Sequence, residues 1–270
     1  MATEAEPEPA EAEQPSQPAS SSTGPSHAQR PSFKDRMALG AYIADPGAYP
    51  GAVIFHDADF VAVRDLFPKA TVHALLLPRW PLDALLQRPL DVLANDGELL
   101  ARLRVAAERL RGLVAAQLAR EVGRWSEADS RRQAVLDGRE SEAGEAEGEG
   151  QGEREKEGPG DVPRLPRGRD WAAEVRCGLH LVPSMRHLHV HVISRDMHSA
   201  SLRHRKHYNS FTTPFFVALH QLPLPPADPR RSAHHLARDL VCWRCGRNFG
   251  NRFRRLKEHL DAEFDEWKRE

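Results

Sequence analysis

The run HLHVHVIS, residues 187–194, places histidine at every second position of an otherwise apolar stretch. Side chains on a β-strand alternate between its faces. Read as a strand, the run therefore turns His187, His189 and His191 to one side and Leu188, Val190 and Val192 to the other. The apolar set suits a core. Three imidazoles on one face are costly as mere packing, because each neutral ring brings one donor and one acceptor that must be satisfied. From the residues alone three uses stay open. The rings can be satisfied structural groups, or they can hold a metal as strand-borne His-x-His pairs do. In the third use, one ring attacks phosphorus as a nucleophile while its neighbours stabilise the developing charge. The polar residues around the run are mainly His180, Ser184 and Arg186, which fit the phosphate-directed use.

Elsewhere the pattern alternates between helix and strand. Phe33, Met37, Ala41 and Tyr42 recur at helical spacing behind Ser32 as a possible N-cap, and Asp45-Pro46-Gly47 ends that element. AVIFHDADFVAVRD, residues 52–65, reads as a hairpin turning at His56–Asp59, and TVHALLLP as a strand stopped by Pro78. From about Gly97 to Val122, Leu99, Leu100, Leu103, Ala106, Ala107, Leu110, Leu113, Val114 and Leu118 mark one face of a long amphipathic helix. Two further strands follow around the turn Pro183-Ser184-Met185. Strands, a long helix, then strands again predict an α+β domain on a largely antiparallel sheet.

Two stretches lack the apolar side chains needed to offset ordering entropy. Residues 1–30 are Pro, Ala, Ser and Glu and read as a disordered tail. The Glu- and Gly-rich stretch 137–161, with its flanks about 127–165, reads as a flexible acidic insert. Setting aside residues 1–30 (5 acidic, 1 basic) and 127–161 (12 acidic, 5 basic) from the chain's 39 acidic and 38 basic residues leaves 22 acidic and 32 basic. The folded part is thus strongly basic, which points to a polyanionic partner, nucleic acid first. No apolar run reaches about 18 residues, and the N-terminus has no signal-peptide pattern. With three cysteines, too few for a disulfide scaffold, a soluble intracellular protein in a reducing compartment and away from membranes is expected. Cys177 is expected to be a buried strand residue.

Cys242 and Cys245 form a Cys-x-x-Cys pair, Phe249 and Leu256 supply a small core, and His259 lies on a following helix. The spacing is close to a Cys2His2 zinc finger. No second histidine follows, but Glu263 lies four residues on, on the same helix face, and a carboxylate oxygen can ligate zinc; Asp261 is the alternative. The module, placed at 232–270, carries Arg244, Arg247, Arg252, Arg254, Arg255 and Lys257. That density suggests sequence-independent phosphate contacts.

The run HLHVHV resembles the signature of the histidine triad (HIT) family, and VAVRDLFPKATVHALLLP is similar to that family's nucleotide-binding strand pair. CGLHLVPSMRHLHVHVIS, SLRHRKHYNSF and the terminal CWRC resemble, within it, the aprataxin-like family that removes AMP from adenylated DNA 5' ends. The resemblance covers about residues 32–125 and 170–270 and is greatest to the shorter fungal members, with no forkhead-associated domain expected ahead of the catalytic part. It implies a HIT-like fold plus the finger, with Cys242, Cys245, His259 and Glu263 holding one structural zinc per chain, and no catalytic metal. It implies His189 as the nucleophile, His187 and His191 orienting it and binding phosphate oxygens, His180 at the phosphate or leaving group, and Ser184 donating to the phosphate. Asp65 would accept from the ribose hydroxyls, with Lys69 and His73 lining the same pocket. Phe33 and Met37 would abut the adenosine and terminal base. Lys34, Asp35, Arg36, Lys206, His207, Arg244 and Arg247 would meet DNA. Tyr208 departs from the Trp of some relatives. The implied activity is a DNA-repair hydrolase, acting as a monomer in the nucleus and possibly also the cytoplasm, on ends or nicks carrying 5'-AMP, with AMP as product. Alternatives are another HIT reaction, on dinucleoside polyphosphates or adenosine phosphoramidates, and a non-catalytic DNA-binding module.

Overall fold

The structure, a computed structural model, describes residues 36–139, 165–231 and 233–270. The tail expected at 1–30, the residues Phe33, Lys34 and Asp35, and the insert from 140 to 164 lie outside the described residues.

Six strands form one antiparallel sheet: β1 (Val53–His56), β2 (Phe60–Arg64), β3 (His73–Pro78), β4 (Val175–His180), β5 (Val190–Ser194) and β6 (Phe216–Ala218), in the spatial order β1-β2-β3-β5-β4-β6. The β1–β2 hairpin turns where Asp57 Oδ1 accepts from the amides of Asp59 at 2.9 Å and Phe60 at 2.8 Å, an Asx turn. After the short helices α1 (Gly40–Ala44), α2 (Leu82–Gln87) and α3 (Pro89–Asn95) comes the long α4 (Gly97–Val122). Asp96 caps α4 by accepting from Leu99 N at 2.8 Å. Its leucines bury against Ala62, Ala74, Leu76, Val190 and Val192, one face of the sheet. The opposite face is divided. Tyr42 and Ile43 of α1 cover Val61, Val63, Leu75 and Leu77, Ile193 meets the C-terminal module, and the histidines lie between.

Four expectations are corrected. The first helix is only α1, with turns at 36–39 ahead of it; Asp45 does end it, capping the following 3-10 turn through Ala48 N. Residues 127–136, expected within the flexible insert, form helix α5 (Glu127–Leu136) behind the N-cap Ser126. Asp129 on α5 accepts from Trp171 Nε1 and Arg169 N, both at 2.8 Å, so tertiary hydrogen bonds hold a segment whose polar composition suggested none. The strand carrying the histidines begins only at Val190: residues 181–189 form a loop stapled to the N-terminal segment, with Arg186 N donating to Arg36 O and Arg36 Nε to Ser184 O, each at 3.0 Å.

The C-terminal module, expected to be separate, shares its core with the larger domain. Helix α6 (Arg205–Thr212) precedes it, and helix α7 (Phe253–Trp267) carries His259 and Glu263. Leu240, Cys242, Leu256 and Leu260 share one core with Ile193, Met197, Leu202, Tyr208 and Phe211. A unit this small buries too little apolar surface alone and completes its core against the larger domain. No helix among the described residues is long and apolar enough to cross a membrane.

Candidate active site and metal centre

His189 is held by a single defining contact: its Nδ1 lies 2.7 Å from the carbonyl oxygen of His187. A carbonyl only accepts, so Nδ1 carries the proton and Nε2 carries the lone pair. Burial lowers the pKa of His189, with the hydrogen bond to His187 and the charge of Asp65 opposing. The ring is therefore a neutral imidazole, the form in which Nε2 can act as a nucleophile. The His187 ring lies against α1, where a Cβ on Gly40 would stand 2.9 Å from its Cε1. His187 thus orients His189 through its backbone.

Around His189 the imidazoles cluster. Ring centroids are 4.8 Å apart for His189 and His191, 4.5 Å for His180 and His191, and 5.2 Å for His73 and His191. Burial, then the nearby His189, pushes the pKa of His180 down to about 3. Burial brings His73 to about 4 against the attraction of Asp65, and takes His191 well below its ordinary value. Phe211 packs against His180, His191 and His73 at 4.8, 5.0 and 5.4 Å, and Phe215 against His180 at 5.0 Å. Neither phenylalanine was signalled by the motif, yet both supply the low-dielectric wall that keeps these rings neutral. Gly178 pairs with His191 across the sheet, and a Cβ there would meet Val217 O at 2.4 Å; only glycine fits beside the cluster.

Asp65, Lys69 and His73 are neighbours. Asp65 Oδ2 is 3.2 Å from His73 Nδ1, and His73 Nε2 is 3.0 Å from His191 Nδ1. Burial lowers the pKa of Lys69, with Asp65 raising it and Arg203 lowering it. The pKa of His207, on α6, falls to about 4 through burial and the charges of Lys69 and His204. Ser184, Lys206 and Met37 are exposed. Arg36, expected at DNA, spends its guanidinium Nε on the Ser184 carbonyl, which fixes the loop before the triad. Cys177 is half-buried in β4, and burial pushes its thiol up to about 12.

In the terminal module, ligand atoms of Cys242, Cys245, His259 and Glu263 all lie within 4.8 Å of one another. Cys245 Sγ is 3.1 Å from His259 Nε2, which is 3.2 Å from Glu263 Oε1. Two thiolates, an imidazole and a carboxylate converging this closely fit a four-coordinate zinc, with ligand distances near 2.0–2.3 Å expected in general. Asp261 is not in this set; it pairs with His198 at 3.3 Å. Arg244, expected to meet phosphate, instead donates from Nη1 to Glu263 Oε2 at 2.7 Å and from Nη2 to Glu270 Oε1 at 2.5 Å. Two carboxylates already neutralise it. Arg247 remains exposed, its guanidinium 5.3 Å from the Phe249 ring centre.

A sheet-borne histidine cluster with one neutral, oriented imidazole, joined to a zinc-ligand finger, defines a histidine-triad protein with an appended zinc-binding module. The HIT domain family matches residues 47–198, and the C2HE / C2H2 / C2HC zinc-binding finger family matches residues 212–266. The chain is 32% identical over 245 residues to an aprataxin-like protein of Schizosaccharomyces pombe, covering 90% of this chain and 86% of the relative. An aprataxin-like protein of Saccharomyces cerevisiae is 48% identical over 96 residues, 34% of this chain and 44% of the relative. The crystal structure of the aprataxin ortholog Hnt3 in complex with DNA superposes with a TM-score of 0.62 at 30% identity, covering 86% of this chain and 96% of that one. The chain belongs to the HIT family, as an aprataxin-like member with a C2HE finger.

Proposed function

We propose that this protein removes AMP from 5'-adenylated DNA ends, leaving a 5'-phosphate. The observation that carries the reading is the His189 Nδ1–His187 O contact, which presents Nε2 as a neutral nucleophile inside a pocket of imidazoles. Nε2 attacks the AMP phosphorus, a P–N bond forms, and the bond to the DNA 5'-phosphate oxygen breaks with its electron pair leaving on that phosphate. The His187 carbonyl steadies the imidazolium so formed. Lys69, His180, His191 and Ser184 surround the phosphoryl oxygens and supply donors as charge develops. Water then attacks phosphorus, the P–N bond returns its pair to Nε2, one water proton is released, and AMP departs. Burial suits both steps, since a protonated His189 has no lone pair to give.

DNA as substrate is supported by the basic surface. Arg203, His204 and Lys206 are exposed at the start of α6 beside Lys69, and Arg247, Arg252, Arg254 and Arg255 are exposed on the finger. The Hnt3 relative has a crystal structure in complex with DNA. Zinc, held by Cys242, Cys245, His259 and Glu263, would serve as structure here, cross-linking loop to helix. A DNA substrate supports a nuclear location, with the cytoplasm as a second one.

The test compares the protein with its His189→Ala variant on adenylated nicked DNA, AMP-lysine and diadenosine polyphosphate, measuring AMP release. Fast release from DNA that the variant loses by orders of magnitude is expected. Release only from the small molecules, or equal release by the variant, overturns the proposal.

A further inference from the structure

His73 stands between two groups that make opposite demands on one nitrogen. Its Nδ1 is 3.2 Å from the Asp65 carboxylate, which only accepts, and 3.3 Å from the Lys69 backbone N–H, which only donates. Its Nε2 faces His191 Nδ1 at 3.0 Å. A neutral imidazole carries its proton on one nitrogen, so the partner that Nδ1 takes decides what Nε2 offers to His191. If Nδ1–H donates to Asp65, Nε2 accepts from His191 Nδ1–H, and His191 Nε2 is left with a lone pair. If Nδ1 instead accepts from Lys69 N–H, Nε2–H donates to His191 Nδ1, and His191 Nε2 carries a proton. That nitrogen is buried and makes no hydrogen bond within the described residues; it is the open end of the chain toward the reacting phosphate.

We propose that His73 couples recognition of the ribose to activation of the phosphate by switching the tautomer of His191. This rests on the reading above, in which Asp65 meets the ribose hydroxyls. Without nucleotide, Asp65 takes His73 Nδ1–H, and His191 presents a lone pair that repels a phosphoryl oxygen. Once ribose hydroxyls donate to Asp65, His73 Nδ1 turns to the Lys69 amide and His191 Nε2 becomes an N–H donor to that oxygen. One proton leaves at His73 Nδ1 and one enters at His191 Nε2, both exchanged with solvent, so the charge of the chain is unchanged. His73 is a positioning residue in this scheme, and His191 is the catalytic one. The three groups also lie within 4.8 Å of one another, but His73 serves Asp65 through one nitrogen and His191 through the other, the arrangement of a relay rather than of a cage for a cation.

The experiment is ring 15N–1H NMR on the full-length protein labelled in histidine, with His191 assigned by difference from His191→Gln. The expected states are Nδ1–H at His191 in the free protein, Nε2–H when saturated with AMP, and Nδ1–H again with 2',3'-dideoxy-AMP, which has the phosphate but not the hydroxyls. Asp65→Ala should show Nε2–H without nucleotide. The same tautomer in the free and AMP-saturated protein, or a switch with dideoxy-AMP as well, overturns the coupling while leaving the active-site assignment standing. AMP that perturbs neither His189 nor His191 at saturating concentration takes down the nucleotide-site reading and the coupling with it.

Discussion

Arg244 Nη1 lies 2.7 Å from Glu263 Oε2, while the other oxygen of that carboxylate faces His259 Nε2 at 3.2 Å. The guanidinium therefore fixes the carboxylate orientation from outside the ligand set, as groups behind metal ligands commonly do. Arg244→Ala is expected to weaken zinc affinity by about 10–100-fold, measured by competition with a chromophoric chelator. The salt dependence of DNA binding should change little, because Arg244 is already paired. A full unit lost from the salt slope with zinc affinity intact would return Arg244 to the phosphate-binding set.

Gly40 sets the position of His187. A methyl group there would stand 2.9 Å from Cε1 and 3.0 Å from Nε2 of the buried imidazole, whose residue's backbone carbonyl orients His189. Gly40→Ala is expected to destabilise the fold by about 1–3 kcal/mol, the usual range for overpacking. AMP release should fall further than the folded fraction does. Urea unfolding and single-turnover AMP release on the same preparation separate the two effects; unchanged turnover would show that His187 yields without moving its carbonyl.

Tyr208 ties the finger to the catalytic domain. Its hydroxyl donates to Val241 O and accepts from Trp243 N, each at 2.9 Å, from a fully buried position. Tyr208→Phe leaves the Trp243 amide without that acceptor and is expected to cost about 1–3 kcal/mol. A shift of the urea midpoint at unchanged slope reads this out. No shift would mean that the Trp243 indole bond to Asp196 O, at 3.2 Å, suffices to seat the finger.

These residues mark where the sequence is silent. The period-two histidines, the helical leucines of α4 and the Cys-x-x-Cys pair are legible because each is a local pattern, and local geometry converts spacing into a shared face or a shared ligand point. Asp196 shows the opposite case. It accepts from Thr71 N and Oγ1 at 3.0 Å and from His198 N at 2.8 Å, anchoring the Lys69–His73 loop from 125 residues away in sequence. Phe211 likewise reads as an ordinary helix residue until the sheet places three imidazoles against it. Arg244 shows the same limit: an Arg-rich composition says nothing of the carboxylates that tertiary structure brings to a guanidinium. Glu127–Leu136 reads as part of the insert because the bonds that hold it come from distant partners, among them Arg169, Trp171 and Arg269.

The neutral imidazoles tie stability to pH. The folded pKa values of His73 and His180, about 4 and about 3, lie below the ordinary 6.5. Between those values and 6.5 the unfolded chain binds protons that the folded chain refuses. Stability therefore rises with pH through this window and is lost as pH falls through it. Each such group contributes a slope of about 1.4 kcal/mol per pH unit where it is fully differential. Denaturation midpoints at pH 7.5, 6 and 5 are expected to fall progressively, and His180→Phe, which removes one such group, should flatten the slope. AMP release should fall later than stability does, because its acid limb follows the lowered pKa of His189 in the folded state. An acid limb centred at 6.5 in protein that is still folded would show that His189 titrates as an exposed imidazole, against its burial beside His187 and His191.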